Sequence, residues 1–276
     1  MTPRLLCELP ATGGLVTVNL EQSHYLLKVL RLNPGDQVEV FDGLGLRFHA
    51  KIVATQGKLA NLLVEPGERH QPIRKHNIWL VQGLPSGDKM DWIIEKAVEL
   101  GVGRFSPIAC ERSIVKLSGA RSLKKMAHWQ AQIEAACMQS QRDDLMLLDD
   151  VNSSQAWFEG PTHGAFRFFL DPAAKLNLLD ALRVSIGNSR DEATSNKIKA
   201  LEAGAGAVSL TLTIIMAIGP ESGFSDRERW LAERAGFVAV NLGNQILRTE
   251  TAALVATAKL QAWLEIIQTP ASGEDL

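Results

Sequence analysis

Residues 218–259 read IGPESGFSDRERWLAERAGFVAVNLGNQILRTETAALVATAK. This stretch holds two glycine-bearing loops, GPESG at 219–223 and LGNQILRTET at 242–251. Each loop follows an apolar run typical of a strand and precedes a helical pattern. Glycine lets a backbone approach a ligand closely, and the free N–H groups of a helix start point at it. We therefore expect the two loops side by side at the carboxyl edges of neighbouring strands, where open α/β sheets bind ligands.

The region before this stretch alternates between strand and helix patterns. NIWLVQGL, GRFSPIAC and FRFFL are apolar strand runs, the last at 166–170. Between them, DKMDWIIEKAVELG places apolar residues on one face of a helix, and residues 118–140 give a second long helical pattern. After GPESG, Ser225 and Glu228 form a capping box that starts another helix. This order predicts an α/β fold with a parallel sheet and helices on its faces.

The first part of the chain has a different character. Residues 15–65 contain about five short strand-like runs, one helical run and glycine-bearing turns, which favours a small β-barrel. Residues 66–77 are polar and proline-containing, as in a linker. We expect a barrel domain at 1–72 and a larger domain at 73–276. Within the latter, the small and polar residues of 185–207 predict a mobile insertion.

The composition excludes several classes of protein. Hydrophobic residues make up 46% and charged residues 22%, with a formal net charge of −2, so no strongly basic surface is expected overall. No apolar run is long enough to cross a bilayer, and no signal peptide is evident, so we expect no membrane association. The three cysteines, Cys7, Cys110 and Cys137, are far apart. This spacing favours no metal site and no disulfide framework, and suits the cytoplasm.

The two loops carry residues that a turn alone does not need. GPESG lacks the lysine of a P-loop and the glycine spacing of a dinucleotide fingerprint, which disfavours ATP and NAD. In LRTET, the threonines and Glu250 suit a helix start, because Thr249 or Thr251 can cap it and a carboxylate favours its dipole. Arg248 does not suit that position, since a cation there opposes the dipole. We therefore expect it to face a carboxylate or a phosphate.

GPESGFSDRE together with LGNQILRTETAA resembles the RsmE family of the SPOUT methyltransferase superfamily. HYLLKVLRLNPGDQVEVFDG (24–43) resembles the family's PUA-like RNA-binding barrel, and residues 80–117 resemble the opening of its catalytic domain. Three departures are visible. Ser222 replaces the second glycine of GPEGG, Asp171-Pro172 replaces a common His-Pro, and Arg142-Asp143-Asp144 follows QSQ. Ser222 fits the loop if its φ is negative.

The resemblance implies a methyltransferase that uses S-adenosylmethionine to methylate N3 of a uridine in small-subunit (16S) ribosomal RNA, in the assembled subunit. It also implies a C-terminal trefoil knot, an exception to unknotted topology, and a homodimer, for which Ala252, Val255 and Ala256 are candidate contacts. Simple intramolecular packing explains these three equally well. Carried over by position, the cofactor site comprises Leu170, Ile218, Gly219, Pro220, Glu221, Gly223, Leu242, Gly243, Ile246, Leu247, Thr249, Thr251 and Ala253.

Methylation at uridine N3 needs help with the proton on that nitrogen. Arg248 is the first choice for stabilising the developing negative charge, with Glu250 and Glu221 as orienting groups or bases. Each has an alternative role in capping or ion pairing. Two other functions stay open: a methyltransferase with a different RNA target, and a non-catalytic RNA-binding or assembly factor. Candidate phosphate contacts are His24, Lys28, Arg31, Arg47, Arg74, Lys75, Arg112, Lys116 and Arg142.

Overall fold

The computed structural model describes residues 2–7, 9, 11–68, 76–115, 117, 119–161, 166–187 and 212–268. Its contacts divide the chain into two compact units. The first comprises Met1–Ile73 and Ile133–Leu145, and the second comprises Arg74–Gln132 and Met146–Leu276. The predicted insertion at 185–207, apart from its first three residues, and most of the predicted linker lie outside the described residues.

The first unit is built on a five-stranded sheet with the strand order β1-β3-β4-β5-β2. The β1 strand pairs parallel with β3, and the other pairs are antiparallel. The strands and helices of this unit are β1 (Arg4–Leu6), β2 (Gly14–Thr17), α1 (Leu20–His24), a π-helix (Tyr25–Val29), β3 (Gln37–Phe41), β4 (Arg47–Gln56) and β5 (Leu59–Val64).

Alternation of side chains along the strands builds the core of this unit. On β4, Phe48, Ala50 and Ile52 are buried while the residues between them are exposed. The single helical run predicted at 21–32 is two elements. A capping box at Asn19 starts α1, and the chain then widens into the π-helix, which leads to Arg31 at φ 57°.

A buried carboxylate holds two arginines in the first unit. Asp143 lies 2.5 Å from the guanidinium of Arg4 and 3.0 Å from that of Arg47. Glu39 pairs with the same two arginines, at 2.7 and 3.5 Å. Two cations against two carboxylates make a neutral cluster, which is the condition under which buried charges are tolerated.

The second unit is built on a seven-stranded sheet in which all pairs are parallel. The strand order is β12-β10-β11-β6-β7-β8, and β9 also pairs with β7. The elements are β6 (His76–Gly83), α2 (Lys89–Glu99), β7 (Arg104–Ala109), α3 (Gly119–Gln139), β8 (Leu147–Leu148), β9 (Asn152–Ser153), α4 (Ser154–Glu159), β10 (Phe166–Leu170), α5 (Leu178–Gly187), β11 (Leu212–Ile218), α6 (Asp226–Arg234), β12 (Val238–Val240) and α7 (Thr249–Gln268). The last part of α3 belongs to the first unit.

The predicted α/β fold with a parallel sheet is confirmed, and so is the capping box of Ser225 and Glu228 at α6. The prediction that β11 and β12 are neighbours is wrong, because β10 lies between them. In the register, Ile218 aligns with Gln82 and Leu170 aligns with Val240. The strands β6, β10, β11 and β12 therefore end at the same edge of the sheet, and the glycine loops begin there.

Candidate functional site

Two of the loops at this edge are joined to each other. The backbone N–H of Asp171, directly after β10, donates to the carbonyl of Val240 at 3.0 Å. The side-chain amide of Asn241, directly after β12, donates to the carbonyl of Ala174 at 2.7 Å. The loop after β10 and the loop after β12 therefore form one continuous surface beside GPESG.

Gln82 at the end of β6 connects GPESG to the start of α7. Its Nε2 donates to the hydroxyl of Thr249 at 2.9 Å, and that hydroxyl donates to the carbonyl of Gly219 at 2.7 Å. Gln82 is fully buried, and its Oε1 has no hydrogen-bond partner among the described residues. Thr249 therefore links the two loops with its side chain, which is a different role from the helix cap predicted for it.

The GPESG loop packs so closely that two glycines are required. A Cβ on Gly219 would lie 2.9 Å from the backbone carbon of Gly223, and one on Gly83 would lie 2.6 Å from Pro220. Ser222 has no positive φ, as its side chain requires, and its hydroxyl donates to the carbonyl of Arg112 at 3.2 Å. The substitution of serine for the usual glycine thus adds a tether for this loop.

Glu221 is held by three donors that converge on one oxygen. Its Oε1 accepts from the ammonium of Lys89 at 2.5 Å and from the N–H and hydroxyl of Ser86 at 3.0 and 2.6 Å. Burial is the largest influence on its pKa and acts to raise it, but the hydrogen bonds from Lys89, Ser86 and backbone N–H groups outweigh it and lower the pKa to about 2. Glu221 is therefore ionised at neutral pH and is a weak base.

Arg248 is exposed, and its guanidinium makes no hydrogen bond or ion pair within the part of the chain that the structure describes. Residues 243–246 are also exposed, with Ile246 at 85%. The backbone N–H groups of residues 244–246 donate to no described residue. This loop therefore presents a free cation and free donors beside the glycine turn, an arrangement suited to a polar or anionic ligand.

Glu228 fixes the helix that follows GPESG. The residue is 1% exposed, and its carboxylate accepts from the N–H of Ser225 at 2.7 Å, the N–H of Glu111 at 2.9 Å and the hydroxyl of Ser154 at 2.5 Å. Burial, with a contribution from this carboxylate, raises the pKa of the Cys110 thiol far above its ordinary value. Cys110 is therefore unsuited to nucleophilic chemistry.

The remaining residues predicted for the cofactor site differ in accessibility. Ile218, Gly219, Pro220, Leu242 and Ala253 are buried, while Leu170, Gly223 and Leu247 are half-buried. Gly243 and Thr251 are exposed. Ala252 and Ala256, predicted as dimer contacts, are buried within this chain.

The predicted phosphate contacts fall into three groups. His24, Lys28, Arg31 and Arg112 are exposed. Arg47 is paired with Asp143, and Arg142 is 3% exposed and lies 3.0 Å from Asp144, so the structure contradicts the prediction that Arg142 faces RNA. The physical reason is its burial together with a carboxylate two residues away. Arg74, Lys75 and Lys116 lie outside the described residues.

The sequence prediction missed Gln82, Ser86 and Lys89. A signal existed for two of them. Gln82 is a polar residue inside an apolar strand run, and buried polar groups in such positions need partners. Lys89 is the first residue of α2, where a cation opposes the helix dipole, and this is the same argument that singled out Arg248.

No described helix is long and apolar enough to cross a membrane. Among the described residues there is also no group of three or more histidine, cysteine, aspartate or glutamate residues that could hold a metal ion.

A parallel β-sheet that carries three joined loops at its edge, together with an arginine that has no partner among the described residues, defines a ligand-binding α/β protein. Residues 72–261 match the profile of the RNA methyltransferase domain, and residues 19–65 match that of the RNA methyltransferase PUA domain. The first match covers well over half of the chain, which therefore belongs to the RNA methyltransferase family.

Named relatives are similar along most of their length. The chain is 29% identical over 252 residues to ribosomal RNA small subunit methyltransferase E of Bacillus subtilis (strain 168), covering 90% of each chain. It is 33% identical over 253 residues to the protein of that name from Synechocystis, covering 91% of this chain and 74% of the relative.

Solved structures show the same fold. Ribosomal RNA small subunit methyltransferase E from Neisseria gonorrhoeae, bound to S-adenosyl methionine, superposes with a TM-score of 0.77 at 28% identity, over 95% of this chain and 98% of that chain. A protein from Legionella pneumophila in complex with the cofactor SAM gives a TM-score of 0.78 at 27% identity, with the same coverage.

Proposed function

We propose that this protein transfers the methyl group of S-adenosylmethionine to N3 of a specific uridine in small-subunit (16S) ribosomal RNA. The observation that carries the proposal is Arg248, an exposed cation without a protein partner among the described residues, at the edge of two glycine loops. Relatives named as small-subunit ribosomal RNA methyltransferases support the choice of reaction and substrate, and one of them is solved with S-adenosyl methionine. A second similar structure, of a methyltransferase from Legionella pneumophila, also contains the cofactor.

The residues at the sheet edge fit this cofactor. It carries hydrogen-bond donors on its adenine, ribose and ammonium groups, and acceptors on its adenine, ribose and carboxylate. The structure offers free backbone donors at 244–246 and two buried acceptor oxygens without hydrogen bonds to the described residues, Oε1 of Gln82 and Oε2 of Glu250. We propose that the loops at 170–172, 218–223 and 242–253 hold it, within the knotted backbone that the resemblance implies.

The chain's own residues then have separable tasks. When bound, S-adenosylmethionine supplies a methyl group on a sulfonium. Arg248 stabilises the negative charge that develops on the uracil when N3 loses its proton, because a cation beside a partly desolvated site acts more strongly than one in water. The loops align the reacting atoms, which an in-line displacement requires. Glu250 orients these groups or accepts the proton, and Glu221, a weak base held by Lys89 and Ser86, orients the GPESG loop.

We propose that RNA is delivered by exposed basic residues of the N-terminal domain, His24, Lys28 and Arg31, with Arg112 from the catalytic domain. We retain as proposals the boundary between the domains near residue 72, a homodimer, the cytoplasm as the compartment, and the assembled small subunit as the preferred substrate. The family resemblance supports the homodimer and the assembled subunit. The polar residues 66–77 support the boundary, and the widely separated cysteines support the compartment.

The test is methyl transfer from labelled S-adenosylmethionine to purified small ribosomal subunits, and to free ribosomal RNA, from cells that lack the protein. We expect one methyl group on N3 of a single uridine, located by mass mapping, with subunits preferred over free RNA. Methylation at another position would establish a different RNA target. Calorimetry that detects no S-adenosylmethionine binding would establish a non-catalytic RNA-binding protein instead.

Arg248→Ala tests the role of the arginine in the same assay. Removing a group that stabilises transition-state charge lowers kcat about 10²- to 10³-fold. Because the side chain has no protein partner among the described residues, the free energy of unfolding changes by less than about 0.5 kcal/mol. Arg183→Ala is the matched control, since that side chain is 76% exposed and Asp180 is its one ion-pair partner in the described part of the chain. Equal turnover in the two variants would remove Arg248 from the mechanism.

A further inference from the structure

Lys89 lies between the carboxylates of both glycine loops. Its Nζ is 2.5 Å from Oε1 of Glu221 in GPESG and 3.9 Å from Oε2 of Glu250 in the first turn of α7. Only the first distance is a hydrogen bond. One ammonium therefore faces two carboxylates on elements separated by about thirty residues of chain, and is the nearest described cation to each.

The position of Lys89 is not explained by its own helix. It is the first residue of α2, where the unpaired N–H groups carry a partial positive charge and a cation is slightly unfavourable. Lys96, on the same helix, shows the ordinary arrangement of a surface lysine, with Glu95 and Glu99 at 2.7 Å each. The contacts of Lys89 lie 132 residues or more away in the sequence. The position of Lys89 is therefore explained by its contacts with the two glycine loops.

Glu250 is incompletely satisfied. Its side chain is 17% exposed, and Oε2 is buried without a hydrogen bond to any described residue. A buried acceptor that stays unpaired costs about 1–3 kcal/mol, so a native structure that keeps one has a use for it. The Lys89 ammonium is close enough to attract this oxygen and too far to occupy it.

We propose that Lys89 is a positioning residue for methyl transfer: it tethers GPESG through Glu221 and orients Glu250, whose free oxygen then serves the bound reactants. Where it concerns methyl transfer to RNA, the inference rests on the proposed function. The expected effect of Lys89 on cofactor binding rests on the geometry alone. The inference also gives the two glutamates different roles. Glu221 already accepts hydrogen bonds from Lys89 and Ser86. Glu250 is therefore the carboxylate that is available to accept the uracil N3 proton.

The experiment compares Lys89→Met with Lys96→Met, which removes the same charge from the same helix. Calorimetry with S-adenosylmethionine is expected to show about tenfold weaker binding for Lys89→Met, the size of one lost charge-assisted tether, and less than about twofold change for Lys96→Met. At saturating cofactor, we expect kcat to fall about tenfold in Lys89→Met while KM for the ribosomal subunit is unchanged. Equal behaviour of the two variants in both measurements would overturn the inference.

Two further variants separate positioning from a general loss of structure. Lys89→Cys alkylated with 2-bromoethylamine regains an ammonium, and the three native cysteines are buried, so the reagent is directed to the new thiol. We expect this treatment to restore most of the cofactor affinity and kcat. In the double variant with Glu221→Gln, the loss of affinity should be no larger than in Lys89→Met alone, because both changes break one contact. Additive losses, or no rescue, would contradict the proposal.

The outcomes distinguish the proposed RNA substrate from the proposed role of Lys89. A wild-type protein that binds S-adenosylmethionine but leaves ribosomal RNA unmethylated refutes the substrate, and weakened cofactor binding in Lys89→Met still supports the tether. An active wild-type protein whose Lys89→Met variant matches Lys96→Met refutes the tether and leaves the proposed function standing.

Discussion

Glu228→Ala and Glu228→Gln test the buried carboxylate that fixes the helix after GPESG. Alanine leaves the buried N–H of Ser225 and the partly buried N–H of Glu111 without an acceptor, and an unpaired buried donor costs about 1–3 kcal/mol. The Ser154 hydroxyl can rotate towards another acceptor. We therefore expect alanine to lower the free energy of unfolding by about 4 kcal/mol. Glutamine keeps one carbonyl acceptor but turns an NH₂ group towards the other donors. We therefore expect glutamine to lower the free energy of unfolding by about 2 kcal/mol.

The assay is urea unfolding followed by tryptophan fluorescence. Six tryptophans contribute to the emission. Two of them, Trp79 and Trp157, lie in or against the buried cluster that contains Phe224 and the α6 residue Leu231, so the signal includes the structure around α6. Glu233→Gln is the matched control, because Glu233 is on the same helix and exposed, and it should change the free energy of unfolding by less than about 0.5 kcal/mol. If Glu228→Ala destabilises the protein by less than about 1 kcal/mol, the three hydrogen bonds do not stabilise this unit as described.

Two other predictions concern GPESG. Gly219→Ala places a Cβ 2.9 Å from the backbone atoms of Gly223 and Phe224, so we expect about 1–3 kcal/mol of destabilisation and at least about tenfold weaker S-adenosylmethionine binding by calorimetry; unchanged binding would show that the loop does not contact the cofactor. Folding lowers the pKa of Glu221 from 4.5 to about 2, so its carboxylate stabilises the protein above pH 4.5, and this contribution is lost as the pH falls towards 2. The difference in unfolding free energy between the wild type and Glu221→Gln should therefore be constant from pH 5 to 7 and vanish near pH 2 in urea titrations, and a difference independent of pH would contradict it.

Local patterns predicted the elements of the structure well. The apolar positions of α2, from Met90 to Val98, are the buried ones, and the capping box at Ser225 forms as written in the sequence. Such features depend on residues three or four apart, which share a helix face whatever the rest of the chain does. The loops at the sheet edge were found in the same way, from glycines that follow apolar runs.

Contacts between distant segments could not be predicted in this way. The position of β10 between β11 and β12 is set by packing of the whole sheet, and no local pattern encodes it. The bond from Gln82 to Thr249 joins residues 167 apart. The sequence shows that Arg142 carries a charge, but it does not show that the side chain is buried beside Asp144. A cation in a sequence shows that a charge exists, and only the fold shows which group neutralises it.

The ion cluster around Asp143 makes the first unit discontinuous in sequence. Arg4, Glu39 and Arg47 come from its first segment, whereas Asp143 comes about a hundred residues later, after β6, α2, β7 and α3. A fragment ending at residue 73 would contain both arginines with one carboxylate instead of two. The RNA-binding unit is therefore not a module that can be moved to another protein as a single piece, and during synthesis it cannot be completed before the polypeptide has passed residue 143.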